Sequence, residues 1–413
     1  MSSFFTAEVC KPAFEHKQTP MLSYGLPFPE ACAKHVGSTF KASRVLIIVS
    51  KSIATNTSAL GRLQNALGTL VVSIRVGISA HTPISECVDI INQVEDHEID
   101  CIITLGAGSI TDGAKLIRFA LANGALTQEA VNSLWGGRSH NPEKRANINQ
   151  PTIPLISIPT SLSGGEYSSI AGATDDLSRA KRIFEPGVTP DLVIQDPELC
   201  QTTPQHVWLS SGVRSIDHCV EALCSLESKD EVDKFAERGL CNLIEGLLVC
   251  KAGSADLHAY HRCQLGVVDA MQASTSGVPM GASHAIGHQL GPLSIGHGET
   301  SCILLPAVCK FNAIKRVNHE KQQAVAEKLM GLSVVQELIG MKGLQRENLE
   351  LSDILDVVIR QLGMPRTLAE VGVGRDKLDL LAENSLHDPW ITTNPFPITK
   401  KDQVLDILEM VVG

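Results

Sequence analysis

The feature that most restricts this chain is an alternation of short β-branched runs with amphipathic segments over roughly its first 190 residues. The runs are Val45-Leu46-Ile47-Ile48-Val49, Leu70-Val71-Val72-Ser73-Ile74, Cys101-Ile102-Ile103-Thr104-Leu105 and Ile153-Pro154-Leu155-Ile156-Ser157-Ile158. Between them, Glu86 to His97 places Val88, Ile91 and Val94 three apart, as on one helical face. Strand and helix in alternation imply a largely parallel sheet covered on both sides. Such sheets bind ligands beyond the carboxyl ends of their strands.

Two loops at expected strand ends follow that rule. Gly106-Ala107-Gly108-Ser109 leaves the third run, and Ile110 to Ala122 then reads as a helix with Asp112 and Lys115 in its first turns. Glycines permit close backbone approach, and unpaired amides with the helix dipole favour a diphosphate. A tight turn needing positive φ is the competing reading. After the fourth run, Pro159-Thr160-Ser161-Leu162-Ser163-Gly164-Gly165-Glu166 offers the hydroxyls of Thr160, Ser161 and Ser163 to a nicotinamide or ribose, or else serves only as a turn. Two such loops at neighbouring strand ends point to one shared dinucleotide site.

The breaker EPGVTP, up to Pro190, predicts a boundary between an α/β domain, 1–188, and a mostly helical domain, 189–413. Asp191 to Pro197 is expected to be a last extended piece, and Thr203-Pro204 to start a helix. Phe235 to Val249 and Ala324 to Ile339 read as long helices, and Lys342 to Leu351 as an exposed connection. A chain of 413 residues, 43% hydrophobic and 19% charged, is long enough for two substantial cores. Net charge is −10 with dispersed basic residues, which argues against nucleic acid and for a small-molecule partner. No apolar run reaches membrane-spanning length and the first residues do not read as a secretory signal. Twelve scattered cysteines without a C-x-x-C pair fit a reducing compartment, so a cytoplasmic protein is expected. A homodimer is expected for an enzyme of this size.

The helical half holds two polar constellations. Gly281 to Pro306 concentrates His284, His288 and His297; with Ser283 as N-cap, His284 and His288 share one helical face. Converging imidazoles suit a divalent metal, a proton relay or both. Upstream, Arg214, Asp217, His218 and Glu221 fall at i, i+3, i+4 and i+7 among apolar neighbours. A solvated stripe has the same spacing, but burial would make an idle ionic face costly.

These motifs together resemble the iron-containing alcohol dehydrogenase family, and within it the branch of maleylacetate reductase. The likeness runs through GAGS with Asp112 and Lys115, PTSLSGGE, DLVIQDPEL, SGVRSIDHCVEA, SHAIGHQLG and His297-Gly298. Lys181 resembles a lysine on the cofactor side, and Asn394-Pro395-Phe396-Pro397 an Asn-Pro-x-Pro element of that branch. The resemblance implies an α/β dinucleotide-binding domain, an all-α domain, an active site in the cleft between them, and hydride transfer between NAD(P)H and a small carbonyl or alcohol. In metal-dependent members an Asp and three His hold iron or zinc. Here the histidine positions fall on His218, His284 and His297, the carboxylate position falls on Arg214, and His288 matches a histidine near the reacting carbonyl.

A guanidinium has no lone pair and repels a dication, so a metal-free site is expected, with iron or zinc on the three histidines, or with Asp217 recruited, as the alternative. Ser50 stands where NAD-preferring relatives carry an acid, and Lys51 follows, which admits NADPH without excluding NADH. The expected reaction is carbonyl reduction, with maleylacetate or another oxo acid among the candidate substrates. Arg214 and imidazole N–H groups would take the developing charge, or Arg214 a substrate carboxylate, and His288 would deliver the proton. A dehydroquinate synthase-type lyase and a catalytically silent nucleotide-binding relative are the other readings; a cofactor-oxidation screen separates them.

Overall fold

Strands that bury both faces read as continuous apolar runs, and four of those predicted above form the middle and one edge of a single sheet. The computed structural model describes all residues except 1–3, 5, 137–147, 179 and 254. It divides into two units, Met1–Thr203 and Pro204–Gly413. The opening residues of the chain lie partly outside the described set.

The first unit carries β1 (Val9–Pro12), β2 (Met21–Tyr24), β3 (Val45–Val49), β4 (Val71–Val76), β5 (Cys101–Leu105), β6 (Leu155–Ile158), β7 (Ala171–Thr174), β8 (Lys181–Phe184) and β9 (Leu192–Ile194). Seven of these make one sheet in the order β1-β2-β9-β6-β5-β3-β4, while β7 and β8 form a separate hairpin. Every pairing in the large sheet is parallel apart from β1 with β2. Alternate residues of β3 enter opposite cores. Leu46 and Ile48 pack with Ile90, Ile91 and Ile117, whereas Val45, Ile47 and Val49 pack with Phe28, Val36 and Leu63. That division is the two-sided covering expected of a parallel sheet.

The predicted boundary at residue 188 is too early. β9 lies between β2 and β6 and bonds to both, so the chain completes the sheet before leaving it. The break falls at Thr203, and Pro204 caps the next helix. Short β1, with all four residues exposed, and the β7–β8 hairpin gave no periodic apolar signal.

The second unit is helical. Gln205–Cys224 packs with Asp230–Lys251 and Leu257–Ser274, and these last two meet through glycines: a Cβ on Gly246 would stand 2.5 Å from Cys263 Sγ, and one on Gly239 3.0 Å from the Gly266 carbonyl oxygen. Ala282–Leu290 and His297–Lys315 follow, and share a core with the C-terminal residues Val404, Ile407 and Leu408. The single helix predicted over Ala324 to Ile339 is instead two, His319–Met330 and Ser333–Met341. Gly331 closes the first on the carbonyls of Glu327 and Lys328, and Leu332 leaves in extended backbone. Residues 342–350 are nearly all exposed, as expected of a connection.

Candidate active site

In the first unit, strand ends β3, β5 and β6 converge by backbone bonds. Ser50 N donates to the Leu105 carbonyl at 3.0 Å and Gly106 N to the Ile158 carbonyl at 3.0 Å. The two predicted loops are therefore neighbours. Gly106 has φ +136, and a Cβ there would stand 2.7 Å from Ser50 Oγ and 2.9 Å from Ile110 Cδ1. Only glycine permits that approach. Gly108, φ +64, is the N-cap of Ser109–Ala122, and a Cβ on it would meet nothing within 4 Å. The helix start thus presents its first amides on a bare, open backbone, which fits a diphosphate.

Lys115 ties this helix to the second loop. Its buried ammonium contacts Asp112 Oδ1 at 2.8 Å and donates to the carbonyls of Gly165, at 2.9 Å, and Ile170. Asp112 also faces the β7–β8 hairpin: a Cβ on Gly172 would lie 3.3 Å from its Oδ2 and 3.5 Å from Lys181 Cε. In the Pro159 loop, Ser161 and Ser163 are accessible and lie 3.1 Å apart, while Thr160 is buried and its carbonyl accepts from Thr203. Thr160 is the least accessible of the three, and Ser161 and Ser163 are the loop's accessible hydroxyls. Burial pushes the adjacent Glu166 carboxyl up to about 7.

In the second unit, Gln205–Cys224 aligns Arg214, Asp217, His218 and Glu221 as its spacing predicts. The expected N-cap on the next polar helix is corrected: Gly281 caps Ala282–Leu290, and Ser283 lies within its first turn. Glu221 takes over the capping from a distance. Its carboxylate accepts from Gly281 N at 2.9 Å, Ser283 N at 2.9 Å and His284 Nδ1 at 2.7 Å. The Ser283 hydroxyl bonds Asp217 Oδ2 at 2.9 Å, which also accepts from Ser301 at 2.6 Å. A carboxylate reaching into a first turn satisfies the amides that a serine cap would have served.

The Arg214 guanidinium donates to Ser301 Oγ at 3.2 Å and stands 3.8 Å from Asp217 Oδ2. Burial lowers its pKa, and Asp217, Glu221 and Asp388 oppose that shift. The His218 and His284 rings lie 4.6 Å apart. Burial holds both well below the ordinary imidazole range, with Arg214 adding to the effect, so both rings are neutral. Burial raises the Asp217 and Glu221 carboxyls, against the guanidinium and the donors that favour their ionised forms. His218 Nδ1, His284 Nε2 and Asp217 Oδ1 are buried without a protein partner. Unpartnered buried polar atoms are costly, and three in one cluster mark a place for a polar ligand.

His288 Nδ1 donates to Asp388 Oδ2 at 2.9 Å, and its ring lies 5.2 Å from that of Trp390. His284 meets the same indole at 5.7 Å. His297 opens its helix and packs edge-on against His288 at 6.1 Å. Gly298 beside it marks a close approach: a Cβ there would stand 2.5 Å from the Ser210 backbone, so the helices touch there. Sequence reading gave Ser283 only a capping role and assigned none to Ser301, Asp388 or Trp390. Asp388 lies 100 residues from its imidazole, and no local spacing could have linked them.

A metal would need free lone pairs. Asp217, Glu221 and His284 bring ligand atoms within 4.8 Å of one another, the group among the described residues closest to a metal-binding set. Yet Glu221 Oε2 accepts from Gly281 N and His284 Nδ1, Asp217 Oδ2 from two serines, and a fixed cation stands 3.8 Å from the latter. Asp217 Oδ1, His218 Nδ1 and His284 Nε2 do keep lone pairs without a protein partner, so it is the repulsion of the fixed Arg214 guanidinium, and not a want of donor atoms, that weighs against a dication here.

Residues 26–197 match the family model described as iron-containing alcohol dehydrogenase, and residues 208–412 match that of the Fe-containing alcohol dehydrogenase family, C-terminal. The dehydrogenase FUM7 of Gibberella moniliformis is 36% identical over 411 residues, covering 95% of this chain and 96% of the relative. The dehydrogenase ALT3 of Alternaria alternata is 36% identical over 393 residues, 89% of this chain and 99% of the relative. Maleylacetate reductase from Agrobacterium tumefaciens superposes with a TM-score of 0.71 at 24% identity, covering 100% of this chain and 99% of that one. The chain belongs to the iron-containing alcohol dehydrogenase family, on a branch resembling maleylacetate reductase, and is an oxidoreductase with a nicotinamide cofactor.

Proposed function

We propose that this protein reduces the carbonyl of a small oxo acid with NAD(P)H and without a metal. The observation that carries the reading is the buried Arg214 guanidinium, held by Ser301 beside three unpartnered polar atoms on Asp217, His218 and His284. When bound, the dinucleotide supplies the hydride. Gly106, Ala107, Gly108 and Ser109 receive its diphosphate, with Asp112 and Lys181 beside them and Ser161 and Ser163 offering hydroxyls. Arg214 stabilises the negative charge that develops on the carbonyl oxygen, or holds the substrate carboxylate; a fixed guanidinium suits both. His284 Nε2 and His218 Nδ1 complete the polar lining, and Asp217 balances the guanidinium. His288 delivers the proton, since imidazole titrates near neutrality.

Ser50 in place of an acid, followed by exposed Lys51, supports NADPH as the preferred form. A homodimer in the cytoplasm completes the proposal; twelve free cysteines support a reducing compartment, and no described helix is long and apolar enough to cross a membrane. The test is a carbonyl screen of aldehydes, ketones and oxo acids including maleylacetate, run with NADH and NADPH in parallel. Turnover confined to uncharged carbonyls would overturn the oxo-acid assignment. Metal analysis of protein purified without chelator checks the other half: stoichiometric iron or zinc, with activity lost on chelation and regained on readdition, refutes the metal-free site.

A further inference from the structure

Asp388 and Trp390 enter the polar wall from a single tight turn, far along the chain from the histidines they meet. The Asp388 carboxylate divides its two oxygens. Oδ1 accepts from Trp390 N at 3.0 Å and caps the turn Pro389–Ile391; Oδ2 lies 2.9 Å from His288 Nδ1. The side chain is buried while the His288 ring keeps some exposure, so the carboxylate sits behind the imidazole relative to solvent. The indole delivered by the same turn lies against both His288 and His284. A carboxylate on Nδ1 keeps that nitrogen protonated and favours the imidazolium, whose Nε2–H is the proton given to the ligand; the ring left behind is the neutral tautomer with its proton on Nδ1. Without that partner the ring can flip and the imidazolium loses its counter-charge, so an Nε2–H aimed at the ligand is less often present.

We propose that Asp388 is a positioning residue for the carbonyl reduction, acting through His288 by keeping Nδ1 protonated and the ring oriented, while the same carboxylate holds the turn that sets Trp390 against both His288 and His284. This rests on His288 as the proton donor. No bond to substrate is assigned to Asp388. Its effect is on turnover, because the orientation of the proton donor matters in the transition state more than in binding.

The test compares Asp388→Asn, Asp388→Ser, His288→Ala and the double variant His288→Ala/Asp388→Asn in the full chain, with the best carbonyl substrate from the screen. Asparagine keeps an oxygen for the Trp390 amide. Serine also caps turns well but is too short to reach Nδ1, so it preserves the turn if asparagine proves disruptive. Both single variants at Asp388 are expected to lower kcat on the order of 10²-fold, with cofactor and substrate KM within about threefold of wild type. In the His288→Ala background, Asp388→Asn should cost less than about threefold more. Wild-type kcat in both Asp388 variants overturns the proposal. So does a full additional loss in the double variant, which would mean that Asp388 acts independently of His288, or a fall in kcat matched by raised KM values and a lowered melting temperature, which would mean a purely structural role. Wild-type kcat in His288→Ala instead overturns the proton-donor reading itself and this inference with it.

Discussion

Replacing Glu221 by glutamine tests whether one buried carboxylate organises the start of the histidine helix. The side chain accepts three N–H bonds, from Gly281, Ser283 and His284, and is buried. Glutamine has one acceptor oxygen and one NH2 of similar shape, so at least one backbone or ring N–H must face a donor. An orphaned buried donor costs about 1–3 kcal/mol, and exchanging an ionised for a neutral acceptor weakens each remaining bond by about 1 kcal/mol. Relief from burying a charge offsets part of that sum, leaving a net loss of about 2–4 kcal/mol. Trp208 and Trp390 both lie in the second unit, so fluorescence reports mainly on its unfolding. For a unit of this size the guanidinium chloride midpoint should fall by roughly 0.5–1 M. Activity should drop as well, because His284 loses the acceptor on Nδ1. A midpoint within about 0.1 M of wild type, at unchanged slope, would show that the carboxylate does not organise the helix start and that the geometric account is wrong.

Three further outcomes follow from the same structure. Gly298→Ala places a Cβ 2.5 Å from the Ser210 backbone and should destabilise by about 1–3 kcal/mol or more, measured by chemical denaturation; a neutral effect would mean that the two helices do not touch there. Gly108→Ala meets no neighbour in the protein but forces a side chain to positive φ, so a cost of about 1–3 kcal/mol should accompany a loss of dinucleotide affinity of about tenfold or more by calorimetry; intact affinity would remove the loop from the cofactor site. Asp217→Asn tests the raised carboxyl. A carboxyl raised in the folded state binds its proton more tightly there than in the unfolded chain, so its contribution to stability is present at low pH and declines as pH rises above the ordinary carboxylate range of about 4. The stability of the asparagine variant relative to wild type should therefore improve from pH 5 to pH 8 (about the usable range for equilibrium denaturation). A gap independent of pH would refute the shift. The neutral histidines act in the opposite sense: His218 and His284, depressed by burial, should withdraw stability as pH falls below about 6.5 in both proteins.

Local pattern was enough for the strands β3 to β6, the helix after Gly108 and the helix bearing Arg214, because each is set by periodicity or by a glycine that only one backbone conformation explains. Ordered motifs carried the family, and Arg214, where the resemblance would put a carboxylate, stood out as a single letter. The short edge strand β1 and the β7–β8 hairpin were not legible, since strands of four residues are too short for a period to stand out from the surrounding chain. Nor was the domain boundary: EPGVTP breaks local structure, but β9 follows it because pairing with β2 and β6 makes it a middle strand of the sheet. At the polar site the sequence determined which side chains exist and which share a helical face. Their partners were decided by tertiary structure alone. Glu221 meets amides about 60 residues on, Asp388 an imidazole 100 residues back, and Ser301 joins Arg214 to Asp217 across two helices. Hydrogen bonds between residues so far apart leave no periodic trace in the chain, because they depend on where whole helices pack and not on the spacing within any one of them.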